Sequence, residues 1–314
     1  MKLNPRLIGL LTLPPFLWAG NAVVGRMTVP FVPPLMLNAV RWAIVLLVLV
    51  VMSRRFILDA SARGQIAARW PHLALIGLLG IGAYNALQYL ALTTSTPLNV
   101  TLIAASMPLW MLSVGALFFG ERPRTAQMAG AALSLLGVAT VLTRGHLSAI
   151  AQVQFVQGDL FMLLAAASWA GYSWLLARPP ASMRDTGRPL VHEPDGRSRP
   201  WNWHEFMLAQ ALFGVVWAGT AAGVEAAVSD RVLVLNGWVV LAVVYIVIGP
   251  SIIAYWFWGR AVAQAGPTLA SLFVNLTPLF AALLSGALLG DRPQGYHALA
   301  FALIVAGILV SSRR

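Results

Sequence analysis

Ten continuous apolar runs, each about 20 residues long, leave this chain little freedom in what it can fold into. They cover about 7–26, 31–51, 72–92, 98–119, 126–143, 158–177, 203–224, 237–258, 267–289 and 295–311. Such a run crosses the hydrocarbon of a bilayer as an α-helix, because a helix pairs all its backbone polar groups within itself. Membrane β-barrels instead use short strands of alternating polarity. Composition agrees: 59% of the residues are hydrophobic and 10% charged, too apolar for a surface that water must wet. Of 314 residues, roughly 114 remain outside ten spans of this length, too few for a separate soluble domain. The expectation is an all-α integral membrane protein with ten transmembrane helices.

The first run has an alternative reading. Lys2 and Arg6 precede it and Ala19-Gly20-Asn21-Ala22 end it, as in a secretory signal. The run is as long as the others, however, and its Trp18-Ala19-Gly20 recurs as Trp169-Ala170-Gly171. It is read as a span.

Basic residues set the orientation. With the N-terminus inside, sixteen Lys and Arg fall in cytoplasmic segments and four outside: Arg26, Arg144, Arg231 and Arg292. Arg41 lies within the second span. Both termini are therefore expected in the cytoplasm, together with the long polar loop at about 178–202. That loop reads as a flexible connector rich in Pro and Gly. The net charge of +11 sits between spans as a topology signal and does not point to nucleic acid. There are no cysteines, so disulfides, thiolate chemistry and palmitoylation are excluded.

The chain repeats itself. At a constant offset of 170, Pro97 matches Pro267, Pro108-Leu109 matches Pro278-Leu279, Gly120-Glu121-Arg122-Pro123 matches Gly290-Asp291-Arg292-Pro293, and Gly137 matches Gly307. The first span matches the sixth at an offset of 151, and the long loop accounts for the difference. The halves are 1–150 and 151–314, each with five spans. An odd number makes the second copy enter from the opposite side. Two inverted five-helix repeats are the arrangement that gives secondary transporters two related conformations, one open to each face.

These features resemble the drug/metabolite transporter superfamily, in particular its EamA-type permeases. The resemblance rests on five-plus-five spans, the Trp-Ala-Gly of spans one and six, and fourth and ninth spans with mid-helix Pro ending in Gly-Glu/Asp-Arg-Pro. Arg41 at the start of span two also fits. The resemblance implies a carrier of small metabolites in a bacterial inner membrane, commonly an exporter of amino acids, with YddG-type aromatic amino acid exporters a similar subgroup. It also implies a cavity lined by helices one, three, four, six, eight and nine. Related small multidrug antiporters depend on a Glu in the first span, which is absent here.

The spans themselves hold little ionisable chemistry. All five His and all ten acids fall at loops or span ends. No catalytic residue, metal site or cofactor is expected, since an intramembrane enzyme needs a base or ligands that are missing. Proton-driven export of cations is disfavoured for the same reason. The expected substrate is a neutral or zwitterionic small molecule, moved by a uniporter or by coupling through an unidentified group. Another neutral metabolite, such as a nucleobase or sugar conjugate, is the first alternative. A non-transporting sensor or enzyme is the second. A monomer in the lipid bilayer is the default assembly.

Polar and aromatic side chains inside spans are the candidate substrate contacts, because such groups normally face the bundle interior. They are Trp18 and Asn21 on span one, Tyr84, Asn85 and Gln88 on span three, and Trp110 on span four. Span six adds Trp169, Tyr172 and Ser173. Span eight adds Tyr245, Ser251 and Tyr255, and span nine adds Ser271 and Asn275. Pro108, Pro250 and Pro278 are candidate kinks or gates, with Pro108 and Pro278 freeing the carbonyls of Ala104 and Val274. Gln88 and Asn275 read equally well as bridges between helices.

Structural readings cover the rest. Trp42, Trp70, Trp201, Trp203, Trp238, Trp256 and Trp258 lie towards span ends and read as interfacial anchors. Arg41 reads as a structural residue able to snorkel to the interface. Gly77, Gly80 and Gly82 read as close-packing positions. Glu121-Arg122 and Asp291-Arg292 read as charge pairs in tight turns.

Overall fold

The computed structural model describes residues 4–95, 100, 103–146, 155–184, 187, 189–192, 197–289 and 294–312. Among them, eight helical stretches are long and apolar enough to cross a bilayer. These are α1 (Pro5–Thr28), α2 (Pro34–Met52), α5 (Trp70–Thr94), α7 (Thr125–Leu142), α8 (Gln157–Ala177), α9 (Trp203–Val228), α10 (Gly237–Ala265) and α13 (Gly295–Ser312). Short helices α3 (Arg54–Leu58) and α4 (Ala60–Ala68) join α2 to α5. The fourth and ninth expected spans are different. The fourth contains α6 (Met107–Phe119), and the ninth is split into α11 (Pro267–Val274) and α12 (Thr277–Leu289). Large apolar side chains such as Leu47, Val51, Leu117 and Phe118 stand exposed on the outside, as a lipid-facing surface requires.

Local sequence explains where the helices start. The Asn4 side chain accepts from the Leu7 amide at 2.8 Å, with Pro5 in the first turn of α1. Asn202 and Glu205 cap α9 reciprocally. Helix α2 has no capping side chain of its own; Glu225 of α9 accepts from its Met36 amide at 2.9 Å. The buried acids Asp159, Glu205 and Glu225 all lie within a turn of a helix end, as expected.

Pro108 and Pro278 do not kink continuous helices, which corrects the sequence reading. Each lies in the first turn of a new helix, after turns at Ser106 and at Asn275-Leu276. Proline fits that position, where its missing N–H has no helical partner to lose. Two other spans carry π-helical segments instead, Leu78–Ala83 in α5 and Val247–Ile253 in α10. Gly80 and Pro250, which share the repeat offset of 170, lie inside them.

Helix contacts come in pairs. Helix α5 packs on α8 as α1 packs on α10; α2 lies against α9, α6 against α11, and α7 against α13. The last contact depends on glycine. A Cβ on Gly130 would stand 2.5 Å from the Gly307 carbonyl, and one on Gly307 would stand 2.5 Å from that of Gly130. Gly137 meets Ala300 in the same way, at 2.8 Å from its carbonyl.

The described residues of the loop at 178–202 carry more structure than a flexible connector would. Leu190–His192 (β1) and Ser198–Pro200 (β2) pair antiparallel, Leu190 opposite Pro200. Gln65 of α4 exchanges two hydrogen bonds with Leu190, and Arg69 donates to the carbonyls of Ser182 and Gly187. The repeat positions Pro97 and Gly290-Asp291-Arg292-Pro293 lie outside the described residues.

Candidate functional site

Aromatic rings fill the centre of the bundle. Trp169 is buried, and five rings surround it, with centroids at 4.6 Å (Tyr84), 5.0 Å (Tyr172), 5.2 Å (Trp18), 5.3 Å (Tyr255) and 5.6 Å (Trp258). Edge-to-face and tilted contacts of this kind add to the gain from burial. The Trp18 indole donates to the Pro250 carbonyl at 3.2 Å. The missing N–H of Pro250 frees a carbonyl a turn earlier, and Ser251 Oγ donates to that of Ile246 at 2.7 Å, while π-helical geometry disturbs the local ladder around Pro250 itself. The Trp258 indole donates to Ser173 Oγ at 3.1 Å. The Trp169 indole N–H is buried and has no acceptor among the described residues, at a cost of about 1–3 kcal/mol.

Beside the rings lies a polar network centred on Arg41, about two turns inside α2. Arg41 is completely buried. Its Nε donates to Ser251 Oγ at 2.6 Å, and Nη1 donates to Asn85 Oδ1 at 2.9 Å and Tyr89 OH at 3.1 Å. Tyr89 donates on to Asn21 Oδ1 at 3.4 Å. The Asn85 amide donates to the Gly80 carbonyl at 3.2 Å and to Tyr255 OH at 3.0 Å. Tyr255 donates to that same Gly80 carbonyl. Helices α1, α2, α5 and α10 are thus joined through one guanidinium.

A pocket of about 360 Å³ opens on the side of the 178–202 loop and reaches inward to Tyr172, Gln210 and Tyr255. Trp201, Trp203 and Phe206 form part of its walls. Its inner end is therefore the outer edge of the ring cluster.

The candidate residues separate into groups. Trp18, Tyr84, Trp169, Tyr172 and Tyr255 meet in the cluster, with Ser173 at its edge. Asn21, Asn85 and Ser251 join the Arg41 network. Gln88 and Trp110 are half-buried. Tyr245 donates to the Leu17 carbonyl at 2.9 Å, tying α10 to α1. Ser271 donates to Thr268 within its own helix. Asn275 bridges to Ser134 of α7 at 2.8 Å and keeps a buried Oδ1 without a partner among the described residues.

Several structural readings change. Arg41 does not snorkel; its hydrogen bonds hold it inside. Trp42 and Trp258 are wholly buried and are not interfacial anchors; Trp42 packs edge-on against Tyr255 at 5.0 Å. Trp201 is also buried, against Phe56 at 5.2 Å. Trp70 is exposed, as an anchor would be. Glu121 pairs with Arg178, the residue just after α8, and not with its neighbour Arg122. Gln210, a pocket residue, was not among the candidates. Its isolation as the one amide in the apolar run of span seven was the available signal.

A multi-pass helical bundle with rings and a buried charge at its centre has the build of a membrane permease. The comparisons agree: residues 6–143 and 198–313 match the EamA-like transporter family, and the chain belongs to it. A transporter of Archaeoglobus fulgidus is 24% identical over 308 residues, 97% of this chain and 96% of that one. A probable terminal-alkyne amino-acid exporter of Streptantibioticus cattleyicolor is 26% identical over 261 residues, 81% of this chain and 79% of that one. A crystal structure superposes with a TM-score of 0.72 at 24% identity, covering 99% of this chain and 97% of the other, and shares the fold.

Proposed function

We propose that this chain is an alternating-access uniporter that exports small neutral or zwitterionic metabolites, foremost amino acids, aromatic ones included. It would work as a monomer in a bacterial inner membrane, with both termini and the 178–202 loop in the cytoplasm. Its ten membrane segments form two inverted five-helix repeats, 1–150 and 151–314.

The observation that carries this reading is the unequal bonding of two repeat-related tryptophans. Trp18 and Trp169 correspond at the offset of 151, and Pro250 and Gly80 at that of 170. The counterpart of the Trp18–Pro250 hydrogen bond is therefore a Trp169–Gly80 bond. Here Tyr255 and Asn85 take the Gly80 carbonyl, and the Trp169 N–H is left without an acceptor among the described residues. A near-symmetric scaffold held in an asymmetric arrangement has a second arrangement of similar energy, with the roles exchanged. The α7–α13 contact supports the symmetry, since the offset of 170 turns Gly130–Gly307 into Ala300–Gly137. The apolar rings suit the body of a substrate, and the hydroxyls and amides beside them suit its polar end.

The test is counterflow in proteoliposomes preloaded with unlabelled amino acid and given labelled amino acid outside, with no proton gradient. Neutral and aromatic amino acids are expected to exchange above protein-free vesicles. Folded protein that exchanges none of them overturns the amino acid reading, and a panel of other neutral metabolites then follows.

A further inference from the structure

Arg41 presents an imbalance that its neighbours leave unresolved. It is the one charged side chain, among the described residues, that is fully buried far from a helix end. Its hydrogen-bond acceptors are all neutral oxygens, Ser251 Oγ, Asn85 Oδ1 and Tyr89 OH, and the uncharged ring of Trp42 lies 5.6 Å from its guanidinium carbon. Those acceptors engage Nε and Nη1 alone. Among the described residues Nη2 has no hydrogen-bond partner, and no carboxylate forms an ion pair with the guanidinium. Buried charge in a membrane protein is costly and is ordinarily matched by an opposite charge. Guanidinium geometry matches a carboxylate, with parallel N–H donors aimed at two oxygens.

We propose that Arg41 is the anchor for a substrate carboxylate. This deepens the transport reading and rests on it: the cargo must carry an organic carboxylate, as a zwitterionic amino acid does, and not merely be small and uncharged. The bound anion takes the free Nη2 donors. The rest of the substrate lies towards Trp169. Tyr255 marks that direction, because its hydroxyl reaches Asn85 of the Arg41 network at 3.0 Å while its ring centroid is 5.3 Å from that of Trp169. Tyr255 also lines the pocket on the loop side. A ligand entering there meets Tyr255 before the guanidinium, and displacing its hydroxyl from Gly80 opens the way. Displacement also releases the carbonyl that the Trp169 indole needs in the exchanged arrangement, so carboxylate binding and the conformational change share one hydrogen-bond acceptor.

The test uses matched pairs on one skeleton: phenylalanine and its primary amide, leucine and its amide, 3-phenylpropionate and its amide. Each is assayed two ways, as a competitor of counterflow and as a stabiliser of the purified full-length protein in a melting scan. The carboxylate member of each pair is expected to act at about ten- to hundredfold lower concentration, the range of a hydrogen-bonded charge. Arg41→Gln removes that difference and Arg41→Lys keeps part of it. Should Arg41→Gln fail to fold, the wild-type pairs still decide. Amides that act as well as acids on wild-type protein overturn the anchor, even while amino acids exchange. Carboxylates that stabilise the protein without any flux uphold the anchor and overturn the transport reading instead.

Discussion

The rings of Trp18 and Trp169 meet at 5.2 Å and nearly at right angles, yet among the described residues one indole N–H is bonded and the other is not. Replacing Trp18 with Phe keeps a ring and removes one hydrogen bond, worth about 0.5–1.5 kcal/mol. The conformation described here should lose about two- to tenfold in population. A cysteine placed at Ala263, in the loop-side pocket, reports this through labelling by a membrane-impermeant maleimide, with no native cysteine to compete. Labelling is expected to slow in Trp18→Phe and not in Trp169→Phe, which removes no hydrogen bond. Equal rates in the parent and Trp18→Phe would show that the Pro250 bond does not hold the pocket open.

The contact of α7 with α13 allows no side chain at its two closest points. Gly307→Ala sets a methyl group against backbone atoms of Gly130 and Ser134, which cannot swing aside. A loss of about 1–3 kcal/mol is expected, read as a lower melting temperature in detergent. Gly9→Ala is the control, since a Cβ there meets nothing within 4 Å; it should be neutral or slightly stabilising.

Glu225 serves a helix other than its own. Glu225→Ala leaves the Met36 amide at the start of α2 without its acceptor and should cost about 1–2 kcal/mol. Glu225→Gln keeps an oxygen and should cost less. If Ala and Gln melt alike, the loss comes from the missing charge and not from the missing acceptor.

The Glu121–Arg178 pair should matter far less. Both side chains are about half exposed, at 43% and 51%, and exposed pairs contribute about 0–1 kcal/mol. Glu121→Gln is expected to shift the melting temperature only slightly, and added salt should remove the difference. A large, salt-independent loss would mean that the pair locks the turn after α6 to α8.

Much of this site was visible in the sequence as residue types and very little as partners. The Trp-Ala-Gly recurrence singled out Trp18 and Trp169, and Pro250, Ser251 and Tyr255 stood out as polar or helix-disturbing residues in an apolar run. Arg41 is legible in the sequence as a charge within a span, but not as a buried one. Its place along the span suggested an interfacial charge, and only its hydrogen bonds to three neutral side chains reveal a buried one. The same holds for Trp258: depth along a helix does not tell which face the neighbours cover. Pro108 and Pro278 were expected inside continuous helices, but each starts a new one, because the turn before it forms with its own short-range hydrogen bonds, Ser106 N–H to the Ile103 carbonyl and Leu276 N–H to the Phe273 carbonyl.

The sequence alone determined the solvent and the class of element. Long apolar runs cannot expose unpaired backbone to lipid, and a helix meets that demand from residues four positions apart. The repeat was equally local, since it is read by sliding the chain along itself. Which polar groups share the interior was decided only by tertiary packing. Arg41 and Ser251 are 210 positions apart and form a 2.6 Å hydrogen bond. Nothing in either segment encodes that meeting, because it depends on how α2, α5 and α10 rotate about their axes when the whole bundle closes.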